Sequence, residues 1–144
     1  MFGVVVVGTD GSDTAQEAVR QATELAQSHG AQLNVVSAYE PVHESRLWSE
    51  REGAPRDREL IIKGVEATLS QAVDQIEGAG VKVETFSREG DPADAILDVA
   101  EERGADLIVV GNKGMTGAKR FMLGSVPNKV SHHAPCSVLI IRTT

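Results

Sequence analysis

Glycine and serine residues that could hold an anion are concentrated in one stretch of the sequence, GNKGMTGAKRFMLGSV at positions 111–126. A glycine leaves room for a ligand to approach the backbone, and the pair Gly124-Ser125 directly precedes a predicted helix with Pro127 in its first turn. Unpaired backbone N–H groups at a helix start bind anions, and the Ser125 hydroxyl adds a donor. The stretch therefore predicts a site that binds phosphate from two sides, with the glycine segment from Gly111 on one side and the helix start at Gly124-Ser125 on the other.

Three basic residues, Lys113, Lys119 and Arg120, lie in the same stretch of an otherwise acidic chain. Their charges suit the neutralisation of phosphate, although each of them could equally be a solvated loop side chain. The whole chain has 14 Lys and Arg against 21 Asp and Glu, a formal net charge of −7. Because such a chain repels polyanions at long range, we expect neither nucleic acid nor an acidic membrane surface as a partner.

Five short segments rich in Val, Ile and Leu alternate with helical patterns along the chain. Continuous apolar runs such as Val4-Val5-Val6-Val7 are typical of central parallel strands that are covered on both faces. The alternating order predicts an α/β fold with a doubly wound, mostly parallel sheet and helices on both faces. The predicted strands are Gly3–Gly8, Leu33–Ala38, Val81–Phe86, Asp106–Val110 and Cys136–Ile141, and the predicted helices are 12–29, 57–77, 91–104 and 126–132.

The ends of strands one and four should meet at one edge of this sheet. In doubly wound sheets ligands bind beyond the carboxyl ends of the strands, where the strand order reverses. If strand one is central, the reversal places Gly8-Thr9-Asp10-Gly11 beside Val110 and the following Gly111-Asn112-Lys113-Gly114. The glycines could also form an ordinary turn, and Asp10 could merely brace one.

The same residues resemble the ATP-binding signature of the universal stress protein family. The spacing Gly111-x2-Gly114-x9-Gly124-Ser125 matches that signature at every position, and the segments 5–12, 105–111 and 136–141 are also similar to the family. The resemblance covers nearly the whole chain. It implies a five-stranded parallel sheet of order 3-2-1-4-5, of the adenine nucleotide alpha-hydrolase-like kind, usually in a homodimer.

The resemblance also implies roles for individual residues. Thr9 and Asp10 would lie near the adenosine, with the Asp10 carboxylate placed for the ribose hydroxyls, and Ala38 would meet the adenine through its backbone. The implied ligand is ATP, which we expect to bind together with Mg²⁺. The residues that would line its phosphates and ribose are Gly111, Gly114, Gly124, Ser125 and Val126.

Three functions stay open at this point. The first is an ATP-binding regulatory or stress-response protein, the second is a slow ATPase or phosphotransferase, and the third is a binder of another adenylate such as AMP or cyclic AMP. The sequence has no G-x-x-x-x-G-K-[ST] phosphate loop, no G-x-G-x-x-G before the first helix and no G-x-S-x-G nucleophile elbow. Asp10 is the acidic residue expected near the phosphates, so we expect slow hydrolysis at most.

Several further features bound the prediction. The 144 residues suit a single domain over 1–144, and the lone Cys136 cannot form an internal disulfide, which favours a reducing cytoplasm. No apolar run approaches the roughly 18 residues of a membrane span, and no signal peptide is expected at the N-terminus. His132 and His133 lie near Cys136, but adjacent histidines point to different faces, so we expect no metal site.

Two segments could act outside the nucleotide contacts. The stretch Glu40–Arg56 is predicted to be a long loop, and its Trp48 could close over the adenine or simply anchor the loop. The terminal strand 136–141 is apolar, free of proline and uncharged until Arg142. Such an edge is a template for pairing with another chain, so we expect a homodimer through this strand.

Overall fold

The computed structural model describes residues 2–40, 54–112 and 123–143 of the chain. Its strands are β1 (Val4–Gly8), β2 (Gln32–Tyr39), β3 (Val83–Glu89), β4 (Leu107–Gly111) and β5 (Ser137–Ile141). Its helices are α1 (Asp13–His29), α2 (Ala54–Ile76), α3 (Pro92–Arg103) and α4 (Ser125–His133).

All five strands are parallel and form one sheet in the order β3-β2-β1-β4-β5. The central strand β1 pairs on both sides, with Val5 opposite Leu33 of β2 and opposite Leu107 of β4. Helices α1 and α2 pack on one face, and α3 and α4 pack on the other. The predicted doubly wound fold and its strand order are therefore confirmed.

The continuous apolar run of β1 has a simple structural cause. Val5 and Val7 belong to the core under α1 and α2, whereas Val6 belongs to the core under α3 and α4. All three side chains are fully buried. Because alternate side chains point to opposite faces of a strand, a strand covered on both faces needs apolar residues at every position.

The helix boundaries follow local signals that the sequence carries. Ser12 caps α1, with its Oγ accepting from the Ala15 N–H at 3.2 Å, and Gly30 ends the helix with φ 64°. Asp91 caps α3, with its Oδ2 accepting from the Asp94 N–H at 3.1 Å. Both caps satisfy amides that have no partner inside the helix.

Two predicted boundaries were wrong. Strand β3 is Val83–Glu89 rather than Val81–Phe86, because β2 continues to Tyr39 and keeps β3 paired along its whole length. As an edge strand β3 is half exposed and carries charged residues, which hides it from a search for apolar runs. Helix α2 begins at Ala54, so the last residues of the predicted loop 40–56 are helical. Residues 41–53 of that loop, including Trp48, lie outside the described residues.

Candidate functional site

A cavity of about 110 Å³ lies where the carboxyl ends of β1 and β4 meet. This is the predicted point at which the strand order reverses. The end of β2 forms another side of the cavity. Seven of the predicted site residues line the cavity: Gly8, Thr9, Asp10, Ala38, Val110, Gly111 and Val126. Gly124 and Ser125 are at the adjoining start of α4, whereas Lys113, Gly114 and Arg120 lie outside the described residues.

The cavity lining is divided into a polar and an apolar part. The end of β1 and the first turn of α1 supply the polar part, which is Thr9, Asp10, Ser12 and Thr14. The apolar part comes from β2, β4, α3 and α4, and its side chains are Val36, Ala38, Pro92, Ile96, Val110, Val126 and Pro127. A site divided in this way can hold a molecule with one flat apolar end and one polar end.

The turn after β1 is held by a short set of hydrogen bonds. The Thr9 N–H donates to the Val36 carbonyl at 2.9 Å, and the Thr9 Oγ1 accepts from the Gly11 N–H at 3.2 Å. Asp10 is exposed, and its Oδ1 accepts from the Ser12 N–H at 2.9 Å. One carboxylate oxygen of Asp10 therefore braces the turn. Within the described residues Oδ2 has no hydrogen-bond partner.

Gly8 allows a close approach between β1 and α3. A Cβ at this position would lie 2.5 Å from the Ile96 Cδ1 and 3.0 Å from its Cγ1. The Ile96 side chain is buried, and it lines the cavity. Gly8 was predicted as a ligand contact, and the structure adds that its missing side chain lets Ile96 form the base of the cavity.

Helix α4 starts differently from the other two helices at the cavity. Its N-cap is Gly124, no side chain caps it, and its first turn contains no acidic residue. The first two positions, Ser125 and Val126, carry amides without an acceptor among the described residues. The third is Pro127, which has no N–H. In contrast, α1 and α3 are each capped by the side chain of their N-cap residue, and each has an acidic residue in its first turn.

Gly124 has φ −65° and ψ 168°, which is an extended conformation open to any residue. The glycine is therefore not required by the backbone conformation. It leaves the Val126 amide uncovered, because a Ser, Asp or Asn at this position would cap that amide. The geometry favours space for an anion at the helix start.

Asn112 links the end of β4 to Gly124 at the start of α4, a role that the sequence analysis does not assign to it. Its carbonyl accepts from the Gly124 N–H at 2.9 Å, and its own N–H donates to the Ile141 carbonyl at 2.8 Å. The Asn112 Oδ1 accepts from the N–H and the hydroxyl of Thr143 at 2.9 and 3.1 Å. Since Asn112 is only 7% exposed, these bonds fix the end of β4 against the start of α4. Its place directly after a buried strand was the available signal.

The histidines and the cysteine at the end of α4 are not part of the cavity. The ring centroids of His132 and His133 are 6.5 Å apart. Within residues 2–40, 54–112 and 123–143 no three His, Cys, Asp or Glu side chains cluster as metal ligands would. Burial raises the pKa of the Cys136 thiol, and the Asp106 carboxylate raises it further.

Of the helices described, none combines the length and the apolar character needed to cross a membrane.

Comparison with known proteins identifies the family. A family model described as the universal stress protein family matches residues 1–142. The chain belongs to the universal stress protein family. Among its relatives, universal stress protein Rv1636 of Mycobacterium tuberculosis is 39% identical over 147 residues, covering 99% of this chain and 98% of the relative.

Solved universal stress proteins share this fold. One, a crystal structure in complex with cAMP, is 34% identical with a TM-score of 0.75 and covers 99% of this chain and 98% of its own. Another, the universal stress protein from Archaeoglobus fulgidus in complex with dAMP, is 26% identical with a TM-score of 0.64 and covers 98% of both chains. The family resemblance seen in the sequence is therefore confirmed.

Proposed function

We propose that this universal stress protein binds an adenine nucleotide, namely ATP with Mg²⁺, and acts as a nucleotide-dependent regulatory protein in a stress response. The observation that carries the proposal is the uncapped start of α4 beside a cavity divided into an apolar and a polar part. The two solved relatives in complex with cAMP and dAMP support the adenylate class.

The divided lining suggests how the nucleotide would lie. The adenine suits the apolar part, where the backbone of Ala38 can supply hydrogen bonds that the side chains there lack. The ribose would meet the polar part, where the Asp10 Oδ2 remains available as an acceptor. The phosphates would reach the amides of Ser125 and Val126, which gain most from an anionic acceptor.

The choice of ATP over AMP or cyclic AMP rests on the number of phosphate donors. Lys113, Lys119 and Arg120 follow β4 in sequence and can neutralise more than one phosphate. Magnesium bound through nucleotide phosphates keeps several waters and needs few protein ligands. The described lining fits this requirement, since it offers one carboxylate, that of Asp10, and the hydroxyl groups of Thr9 and Thr14.

A slow ATPase is the second candidate, and the described lining supports it only weakly. Asp10 is the one acidic side chain there, and it already accepts a hydrogen bond from Ser12. An efficient hydrolase needs a group that orients or activates the attacking water. We expect turnover well below about 1 s⁻¹, the lower end of ordinary enzymes, and faster turnover in a phosphate-release assay would favour the enzyme.

We also propose a single-domain cytoplasmic homodimer that pairs through β5. This strand is an edge of the sheet, and its Leu139 is 36% exposed. The opposite edge, β3, carries Glu84, Arg88 and Glu89, which discourage pairing. Two identical edges related by a two-fold axis close at two subunits. Sedimentation of the protein and of Val138→Pro, which removes an N–H that faces the open edge, should show a dimer and a monomer, and a monomeric parent would refute the proposal.

The nucleotide itself can be identified directly. The purified protein is denatured, any released nucleotide is identified by chromatography, and the refolded protein is titrated calorimetrically with ATP and Mg²⁺, AMP, cyclic AMP and GTP. We expect ATP to bind most tightly and GTP weakly, because the apolar part lacks side-chain partners for the polar atoms of guanine. Absence of binding heat with every adenylate at millimolar concentration would refute the function.

A further inference from the structure

A cluster of ion pairs joins α3 and α4 next to the cavity. The Lys129 Nζ lies 2.9 Å from the Asp94 Oδ1 and 3.3 Å from the Asp91 Oδ2. Both carboxylates are at the start of α3, where Asp91 immediately precedes Pro92 and Asp94 follows it by two positions, and Lys129 follows Pro127 by two positions on α4. Since both prolines line the cavity, the cluster is within two residues of lining positions on both helices.

The acidic side chains at this edge of the sheet oppose the binding of an anion. Asp10 lines the cavity, Asp13 is in the first turn of α1, and Asp91 and Asp94 are at the start of α3. Lys129 offsets one of the two charges at the start of α3. Its hydrogen bond to Asp94 raises the pKa of Lys129, so the ammonium keeps its charge at neutral pH.

The ion pairs themselves contribute little to the stability of the fold. The positive charge of Lys129 therefore has to be explained by something other than stability. The side chains of Lys129, Asp91 and Asp94 are 44%, 45% and 56% exposed. Pairs at this exposure are screened by solvent and contribute little to stability. Their effect on a multiply charged ligand is different, because Coulomb energy grows with the product of the charges.

We propose that Lys129 is a specificity residue of the nucleotide site, which shields bound phosphates from Asp91 and Asp94 and thereby favours ligands with more phosphates. This inference rests on the proposed function. Without Mg²⁺, adenosine, AMP and ATP carry about zero, two and four negative charges. Removal of one nearby positive charge should therefore leave the binding free energy of adenosine unchanged and should weaken that of ATP about twice as much as that of AMP.

The test is calorimetry of the three ligands in EDTA at about 20 mM salt. At a separation of the order of 10 Å with partial screening, Lys129→Gln should raise Kd about two-fold for AMP and about five-fold for ATP, with adenosine unchanged. The difference should largely disappear at about 0.5 M salt. Lys82→Gln removes the same charge at the amino end of the sheet, beside β3, and should change little.

A second variant separates charge from mechanical support. Asp94→Asn also breaks the main ion pair, but it makes the site less negative and leaves the Asp91 cap in place. We expect it to tighten ATP binding more than AMP binding, and Lys129→Gln/Asp94→Asn to return close to the wild type. If both single variants weaken all three ligands equally, or if neither changes the ATP to adenosine ratio, the inference is overturned. If the wild type binds none of the three in EDTA and none with Mg²⁺ present, the proposed function fails with it.

Discussion

Replacing Gly124 by aspartate tests the open start of α4, because it converts an anion site into a capped helix. The backbone at this position has φ −65° and ψ 168°, so an aspartate fits without strain. Its carboxylate can accept from the Val126 N–H, which is the second amide of the helix. The third position is Pro127 and offers no competing donor. The new cap should therefore compete with a phosphate for the same amide.

The expected magnitudes have opposite signs for folding and for binding. An aspartate cap in place of glycine, together with the helix dipole, should stabilise the fold by about 0.5–1 kcal/mol. For a domain of this size that is an increase in Tm of about 1–4 °C. The loss of one hydrogen bond to a charged phosphate costs about 1.5–3 kcal/mol, or roughly 10- to 150-fold in Kd. Charge repulsion adds to this loss.

Differential scanning calorimetry and titration calorimetry measure the two effects on the same protein. Gly124→Asn is the matched control, because it caps the amide without adding a charge and should lose less affinity than Gly124→Asp. Adenosine, which has no phosphate, should bind both variants about as well as the parent. A stable Gly124→Asp variant with undiminished ATP affinity would show that the phosphates do not reach α4.

Three further changes test other parts of the site and the fold. Asp10→Asn keeps the oxygen that braces the turn through Ser12 but removes the charge, so adenosine should bind about 10-fold more weakly in calorimetry while Tm stays unchanged. ATP should lose less affinity than adenosine, because the change also removes a negative charge that repels the phosphates. Gly8→Ala should push the Ile96 side chain into the cavity, lowering stability by about 1–3 kcal/mol in urea unfolding and weakening nucleotide binding; the additional change Ile96→Val should recover part of both. The Asp106 carboxylate accepts from the N–H groups of Gly3 and Val4, and these hydrogen bonds lower the pKa of Asp106. Its contribution is present above the ordinary aspartate pKa of about 3.9 and is lost as the pH falls through the lower folded value. The destabilisation caused by Asp106→Asn should therefore be constant from pH 7 to 5 and shrink below pH 4, as measured by urea unfolding.

The sequence predicts the fold well where the signals are local. Strand β1 has an apolar residue at every position, and the caps Ser12 and Asp91 lie where the first helical residues begin. Strand β3 was misplaced because its position is decided by pairing with β2, which is a long-range property. A half-exposed edge strand with three charged residues carries little periodic apolar signal of its own.

The candidate site was predicted unevenly for the same reason. The glycines and Asp10 were found because they stand at strand ends, in a spacing that can be read along the chain. Pro92 and Ile96 were missed as lining residues, since their place in the cavity depends on how α3 crosses the sheet over Gly8. The sequence associates Gly124 with space for a ligand, which stays a prediction, and its φ of −65° rules out a conformational need for glycine there.

Asn112 connects the proposed phosphate site to the proposed dimer strand. Through its backbone it holds Gly124, at the start of α4, and Ile141, at the end of β5, and through its side chain it holds Thr143. A ligand that fixes the start of α4 therefore acts on a residue that also fixes the end of β5. If pairing through β5 changes nucleotide affinity by some factor, thermodynamic linkage requires the nucleotide to change the dimer affinity by the same factor. A regulatory protein without efficient hydrolysis needs such a coupling, because occupancy can bias a partner interaction only through a difference in affinity between two states.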